Sequence, residues 1–263
     1  MRKALESDLP AVLSYLKNDV GQCLYMYIDI DTYRLSNPAM GVWLDTDDAG
    51  NVTLVVMKYH TSISLYTAGS DYDRQAVCDL LKEHEIYSIT GQRRLIEPLQ
   101  ELLKGEYGVE YGYIYKYVSL PSVETDNPPE WAVAEECDEI AALICSDEGI
   151  GSYYVPADLA AQLRERMATG MGRSLVVREN GVIVGHIATY AEHGDIAITG
   201  GQIVKKDCRN GFTGVILEDH IVKALDAGGF TSYAFVTDRK RKRFLDMYGN
   251  ECVGEYGKLM RRA

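Results

Sequence analysis

The sequence predicts an α/β protein of two domains, each built from a sheet with helices packed on it. The chain has 263 residues, more than one compact core usually organises. Helices and strands follow in a similar order on the two sides of a break in composition. This break, residues 121–131, holds three of the seven prolines and is typical of a linker. We therefore predict an N-terminal domain at 1–122, a linker at 123–132 and a C-terminal domain at 133–263.

The N-terminal segment predicts roughly the order α-β-β-β-α-β-α-β. Apolar periodicity and capping residues predict its helices, and β-branched and aromatic runs between turn residues predict its strands. The predicted helices are 5–17, 73–83 and 92–103. The β-rich stretches are 22–31, 40–47, 51–60, 62–69, 85–91 and a tyrosine-rich strand at 109–120.

The C-terminal segment predicts the order α-α-β-β-β-α-β-α-β. Its helices are 137–145, 156–167, 212–227 and a basic helix after Asp238, which ends at Gly249. Its strands are 174–180, 181–195, 195–204, 231–236 and 251–260. The two segments therefore share one rhythm, which suggests two copies of one fold.

Composition and charge exclude several classes of function. The six cysteines form no Cys-x-x-Cys pair, which argues against a zinc site and a disulfide scaffold and favours a reduced, cytoplasmic setting without a metal. No apolar run approaches the roughly 20 residues that span a bilayer, and the N-terminus does not resemble a signal peptide. The net charge of −12 disfavours nucleic acid and anionic membrane as partners and modestly favours cationic small molecules such as amines.

One loop has the composition of a phosphate-binding turn. It runs from the strand ending at Ile203 and Val204 to the helix after Phe212, and it carries Arg209 and Gly211. A helix N-terminus offers unpaired N–H groups and a partial positive charge, and glycine lets the backbone approach a ligand closely. The same residues also fit an ordinary strand-to-helix turn.

This loop and its surroundings resemble the GNAT acetyltransferase superfamily. There the fourth strand runs into Val-x-Pro-x-x-Arg-Gly-x-Gly-x-Gly or a close variant. Val204, Arg209 and Gly214 match, whereas Lys206 stands at the proline and Phe212 at the middle glycine. The order of three antiparallel strands, helix, strand, helix and strand is also similar.

The end of the chain extends the resemblance. Residues 253–256 read VGEY, as the last strand of the family often does, and Gly249 matches the glycine before it. The family's catalytic tyrosine falls at Leu245. The tandem arrangement, with a degenerate N-terminal copy, resembles the glycine N-acyltransferase-like members.

The resemblance implies an N-acyltransferase that moves an acetyl or other acyl group from acyl-CoA to an amine of a small molecule or peptide. It implies coenzyme contacts in the strand and loop, with Phe212 turned towards the sheet or core. It also implies a coenzyme role for the cap of the last helix. The predicted coenzyme-binding residues are Ile203, Val204, Arg209, Asn210, Gly211, Phe212, Thr213, Gly214 and Asp238.

The catalytic residues are less clearly marked. Tyr248, one helical turn beyond Leu245, is the candidate acid, or it packs at the helix end. Glu192, in the expected hairpin turn with His193 and Asp195, is the candidate base, or it lies on a solvated turn. His186 is expected to be a core histidine.

Two other readings stay open. Leu245 at the tyrosine position also fits a non-catalytic protein that binds or senses acyl-CoA. A pure interaction module would bind no coenzyme. Tyr153 and Tyr154 fall where similar proteins often close over substrate, or they cap a core.

Overall fold

The computed structural model describes residues 1–103, 105–148, 150–151, 154–209 and 211–262. Contacts divide these residues into two compact units. Unit 1 comprises Met1–Ile114, Val236–Lys242 and Cys252–Ala263, and unit 2 comprises Tyr115–Phe235 and Arg243–Glu251. These units are defined by contacts rather than by chain order, and the domain boundaries at 122 and 133 stay a prediction.

Unit 1 contains a mixed sheet in the order β1-β2-β3-β4-β5-β12-β6. The β4–β5 pair is parallel, whereas β1–β2, β2–β3, β3–β4 and β5–β12 are antiparallel. The strands are β1 (Arg2–Lys3), β2 (Met40–Thr46), β3 (Val52–Tyr59), β4 (Ser62–Tyr66), β5 (Ser88–Gln92), β6 (Tyr107–Lys116) and β12 (Glu251–Arg261). The helices are α1 (Leu9–Lys17), α2 (Leu24–Tyr33), α3 (Arg74–Glu83) and α4 (Arg93–Leu102).

Unit 2 contains a mixed set of strands, in which β11-β10-β9-β8-β7 are neighbours in that order. The β10–β11 pair is parallel, and the pairs from β10 to β7 are antiparallel. The strands are β7 (Glu130–Trp131), β8 (Ser174–Glu179), β9 (Val182–His193), β10 (Ile196–Val204) and β11 (Thr231–Val236). The helices are α5 (Cys137–Cys145), α6 (Pro156–Thr169) and α7 (Thr213–Ala227), and α8 (Arg239–Met247) contributes residues to both units.

The prediction that residues 22–31 are β-rich is wrong, because most of this stretch lies in helix α2. Its aromatic and branched residues favour strands, but the buried residues are Leu24, Met26, Ile28 and Ile30. This every-second-residue pattern imitates a strand because the helix is buried on more than one side. With α2 included, and apart from the two-residue strands β1 and β7, both halves have the order α-α-β-β-β-α-β-α-β.

In each unit, apolar clusters lie on both faces of the strands. In unit 2, Val176, Ile183 and Ile203 pack with α5 and α6, whereas neighbouring sheet residues pack with α7. The second group comprises Leu175, Val177, Val184, Ile187 and Ala197. The alternation along β8 follows from the period of two in a strand. No helix among the described residues is long and apolar enough to cross a membrane.

Candidate coenzyme and acyl-transfer site

Strands β10 and β11 of unit 2 are paired over only part of their length. Their parallel pairing runs from Ile196 opposite Thr231 to Thr199 opposite Ala234 and goes no further. Strand β10 continues to Val204. Its last five residues therefore present a backbone edge that β11 no longer covers, and such an edge can accept an extended ligand.

The pairing of β9 with β10 has two register shifts near the point where β11 separates from β10. On β9 the register skips Tyr190, because Ile198 faces Ala191 and Thr199 faces Thr189. On β10 the residues 201 and 202 bulge between the pairs Gly200–Ala188 and Ile203–His186. β-bulges re-aim side chains and recur next to active sites.

Tyr190 lies directly over the bulge glycines. A Cβ atom on Gly200 would stand 2.5 Å from Cε2 of the Tyr190 ring, and one on Gly201 would stand 2.6 Å from its hydroxyl oxygen. Gly201 also has φ of +62°, a conformation that favours glycine. The guanidinium carbon of Arg166, on α6, lies 5.0 Å from the centre of the same ring. Glycine is therefore required at both positions by the ring above them.

A buried histidine fixes the bulge from the side of β9. His186 Nδ1 lies 2.9 Å from the Gly201 carbonyl oxygen, and its Nε2 lies 3.0 Å from Ser174 Oγ. A carbonyl oxygen only accepts, so Nδ1 carries the hydrogen and Nε2 accepts from the Ser174 hydroxyl. Burial lowers the pKa of His186 to about 4, which keeps the ring neutral at pH 7. The expectation of a core histidine is met.

This contact sets the direction of the next N–H group. The carbonyl of Gly201 and the N–H of Gln202 belong to one trans peptide, in which they point in opposite directions. Because the Gly201 carbonyl oxygen accepts from the His186 ring, the N–H of Gln202 points away from that ring. The Gln202 side-chain amide donates to the Gly214 carbonyl oxygen and so ties β10 to the first turn of α7.

Arg209 braces the loop after β10. Its Nε donates to the Val204 carbonyl oxygen at 2.7 Å, and its Nη2 lies 2.7 Å from Oδ2 of Asp147. Asp147 also accepts from the backbone N–H of Ile150, which fixes the loop after α5. Through these contacts Arg209 links the end of β10 to the segment after α5.

The first turn of α7 carries no side-chain cap. Phe212 is the N-cap, and no side chain among the described residues accepts a hydrogen bond there. The N–H groups of Thr213, Gly214 and Val215 have no acceptor within an α-helix. The prediction that the Phe212 ring turns inward is wrong, because the residue is 66% exposed. Gly211 has open space where a side chain would stand, and Asn210 lies outside the described residues.

The matching loop of the first half is built differently. Strand β4 ends at Tyr66, one residue after its last pair with β5. The Asp73 carboxylate caps α3 by accepting from the Ala76 N–H at 3.0 Å. Arg94 donates to the carbonyl oxygens of Thr67 and Gly69 after the strand. A carboxylate at this helix N-terminus repels an anion, so the N-terminus of α3 does not favour a phosphate.

Glu192 lies near the end of β9, opposite Ala197, rather than in the hairpin turn as expected. The turn is formed by Gly194 and Asp195 instead. The side chain is 10% exposed, and its Oε1 accepts from Arg173 Nε at 2.8 Å and from Thr189 Oγ1 at 2.7 Å. The carboxylate is thus held in one position by two donors.

The α8 region places Leu245 and Tyr248 in different surroundings. Leu245 is fully buried, whereas Tyr248 lies just beyond the helix with its ring centre 5.0 Å from that of Phe244. Asp238 caps the helix by accepting from the N–H groups of Lys240 and Arg241, both at 2.8 Å. The capping role predicted for Asp238 is confirmed.

The structure brings the predicted strand and loop residues together in unit 2. Ile203 is buried beneath α5, Val204 accepts from Arg209, and Gly214 faces Gln202. Sequence reasoning missed Tyr190 and the bulge at 201–202. The signal that points to them is the Gly-Gly pair inside an otherwise apolar strand, since glycine there marks a bulge or a close approach.

Solved structures with this fold cover the whole chain. A Drosophila protein of known X-ray structure has a TM-score of 0.70 at 13% identity, with 99% of this chain and 98% of that chain covered. A GCN5-related N-acetyltransferase from Sphaerobacter thermophilus has a TM-score of 0.63 at 14% identity, with 99% and 94% covered. A tandem GNAT protein from the clavulanic acid biosynthesis pathway has a TM-score of 0.59 at 12% identity, with 99% and 97% covered.

Neither a protein-family model nor a curated protein sequence matches this chain. At such low identity the likenesses show the fold and nothing finer. The protein therefore has a tandem GNAT-like α/β fold, with mixed β-sheet flanked by helices, as the sequence predicted.

Proposed function

We propose that the protein is an N-acyltransferase that binds acyl-CoA in its second half and transfers the acyl group to an amine. The observation that carries this is the parting of β10 from β11 at Thr199 and Ala234, which leads into the uncapped first turn of α7. The similarity to GNAT acetyltransferase structures supports the same reaction class. The cosubstrate is acetyl-CoA or another acyl-CoA, and the reaction needs no metal.

The coenzyme pyrophosphate binds at the loop and the first turn of α7. The N–H groups around Gly211, Thr213 and Gly214 point at its oxygens, and the helix dipole favours its charge. Arg209 holds the loop in shape. The pantetheine arm extends along β10 past Val204 and Ile203, where backbone groups replace the strand pairing that β11 has given up. Asn210 and Phe212 complete the proposed coenzyme contacts of the loop. The coenzyme role of Asp238, which lies in unit 1, stays a prediction.

The reaction is attack of the amine nitrogen on the thioester carbon. A C–N bond forms, negative charge develops on the carbonyl oxygen, and the C–S bond breaks with its electron pair leaving on sulfur. A backbone N–H group of β10 near Val204 donates to that oxygen. The amine gives up a proton to a base, and the thiolate takes up a proton from an acid.

Glu192 and Tyr248 are the proposed base and acid. The experiment compares Glu192→Gln and Tyr248→Phe with the parent in a thiol-release assay and in a CoA-binding assay. Each role requires turnover to fall while the Kd for CoA is unchanged. Unchanged turnover in a variant excludes the replaced residue as the base or acid, but it does not exclude the proposed reaction.

A thermal-shift titration with CoA tests the proposed function most directly. A ligand at 100 times its Kd adds about 2.7 kcal/mol to stability, which moves the melting temperature measurably. Thiol release with acetyl-CoA and a panel of amines, amino acids and peptides then tests turnover. If CoA gives no shift, the interaction-module reading replaces this proposal.

A second candidate is a non-catalytic protein that binds or senses acyl-CoA. The observation favouring it is Leu245, which is fully buried at the position where similar enzymes carry a tyrosine. A CoA-dependent thermal shift without thiol release, on every class of acceptor, supports this candidate over the enzyme.

A further inference from the structure

Tyr190 presents a hydroxyl group at the bulge. Its oxygen lies close beside the backbone of Gly201, because a Cβ atom on that glycine would be only 2.6 Å away. The hydroxyl forms no hydrogen bond to any residue in the described ranges. Nor does that part of the chain contain a fully buried side-chain polar atom without a partner. The Tyr190 hydroxyl oxygen therefore keeps some solvent exposure beside the backbone of Gly201.

The surroundings hold this ring in one position. Its two neighbours below are glycines, which leave the ring in contact with bare backbone. The Arg166 guanidinium lies over the ring, with 5.0 Å between its central carbon and the ring centre. The register shift on β9 sets the ring out of the regular pairing. A side chain fixed by backbone below and a cation above is preorganised, as a hydrogen-bond donor to a developing charge must be.

We infer that the Tyr190 hydroxyl is a catalytic residue, which donates a hydrogen bond to the carbonyl oxygen of the bound thioester. This inference rests on the proposed function. It adds a residue of β9 to the proposed catalytic site, whose other residues come partly from the loop and α8. Tyr190 keeps its proton throughout, and no bond to it forms or breaks.

The ionisation of Tyr190 agrees with this role. Burial raises its pKa to about 12, and the nearby Tyr154 hydroxyl adds to the rise while Arg166 opposes it. A tyrosine of that pKa is fully protonated at neutral pH and is a donor in every molecule. A full proton transfer to a thiolate, whose conjugate acid has a pKa of about 8.5, is uphill from such a group. A hydrogen bond is therefore the chemistry that this hydroxyl can supply.

The test is Tyr190→Phe, which removes the hydroxyl and keeps the ring against the glycines. We expect kcat for acetyl transfer to fall by roughly 100-fold, the loss typical of one oxyanion donor, while the Kd for CoA stays unchanged. The matched control is Tyr87→Phe in the first half, where the residue is 55% exposed and the same atom is lost. Unchanged kcat in Tyr190→Phe overturns the inference.

A binding measurement separates this inference from the proposed function. Calorimetry compares acetyl-CoA with CoA, which lacks the thioester carbonyl, on the parent and on Tyr190→Phe. Weaker binding of acetyl-CoA alone in the variant supports the contact, even in a protein without turnover. Equal binding of both ligands by both proteins overturns the contact and leaves coenzyme binding intact. No binding of CoA by the parent overturns the proposed function itself.

Discussion

The His186 ring donates a hydrogen bond from Nδ1 to the carbonyl oxygen of Gly201, with 2.9 Å between the two atoms. The histidine is fully buried on β9, and the glycine lies in the bulge of β10 where the sheet opens. One buried ring thus fixes the orientation of the peptide at the centre of the proposed site. Burial of the same ring makes the protein sensitive to acid, because burial lowers the pKa of His186 while the Gly201 contact opposes that shift.

Stability is expected to fall between pH 6.5 and 4 because of His186. Its pKa is about 4 in the folded protein and 6.5 in the unfolded chain, so the unfolded chain binds the proton first as the pH falls. The stability linked to the neutral ring is fully present above pH 6.5 and is lost as the pH falls to 4. The loss amounts to about 3 kcal/mol, from about 1.36 kcal/mol per pKa unit.

Urea unfolding of the parent and His186→Gln across this pH range measures the effect. We expect the variant to be less stable at neutral pH and the gap to narrow on acidification. His60→Gln, at an exposed position, controls for replacement of a histidine. A gap that stays constant down to pH 4 contradicts the assignment.

Gly214→Glu is expected to abolish the thermal shift by CoA. A Cβ atom there would lie 3.3 Å from the Gln202 amide nitrogen, and the carboxylate would repel the coenzyme phosphates at the N-terminus of α7. Ser70→Glu is the control, since it adds the same charge to the matching, exposed loop of the first half. Survival of the shift in Gly214→Glu would move the coenzyme away from this loop.

Arg209 and Asp147 are expected to act as one unit in coenzyme binding. Their ion pair is partly exposed, with side-chain exposures of 46% and 19%, so its effect on stability is at most about 1 kcal/mol. The loop it shapes is the proposed phosphate site. We expect Arg209→Ala and Asp147→Ala each to weaken CoA binding, by about tenfold for each 1.4 kcal/mol lost.

A double-mutant cycle measured by calorimetry checks this. The double variant is expected to bind CoA about as weakly as Arg209→Ala alone, because the second change removes a contact already lost. Fully additive losses would show that Arg209 contacts the coenzyme independently of Asp147.

Asp73→Ala is expected to lower the stability of the first half without changing the affinity for the coenzyme. The side chain caps α3 through the Ala76 N–H, and loss of such a cap costs about 1 kcal/mol. Thermal unfolding with and without CoA measures both quantities, and Asp73→Asn, which keeps an accepting oxygen, is the conservative control. A smaller CoA shift in Asp73→Ala would give the first half a part in coenzyme binding.

Part of the proposed site can be predicted from residue patterns in the sequence. Arg209, Gly211 and Gly214 mark the loop because their spacing resembles a known phosphate-binding turn. The inward direction given to Phe212 was wrong, since nothing local dictates where an N-cap ring points. Tyr190 was not singled out, because a tyrosine in an apolar strand has no distinguishing pattern of its own.

The sequence by itself determined the order of elements in the second half, the strand-to-helix loop and the buried nature of His186. These follow from local periodicity, capping and turn residues, which act over a few positions along the chain. Tertiary structure decided that 24–33 is a helix, that β10 parts from β11 after Thr199, and that Tyr190 lies over Gly200 and Gly201. Those features depend on strand register and on packing between residues distant in sequence, which no local pattern encodes.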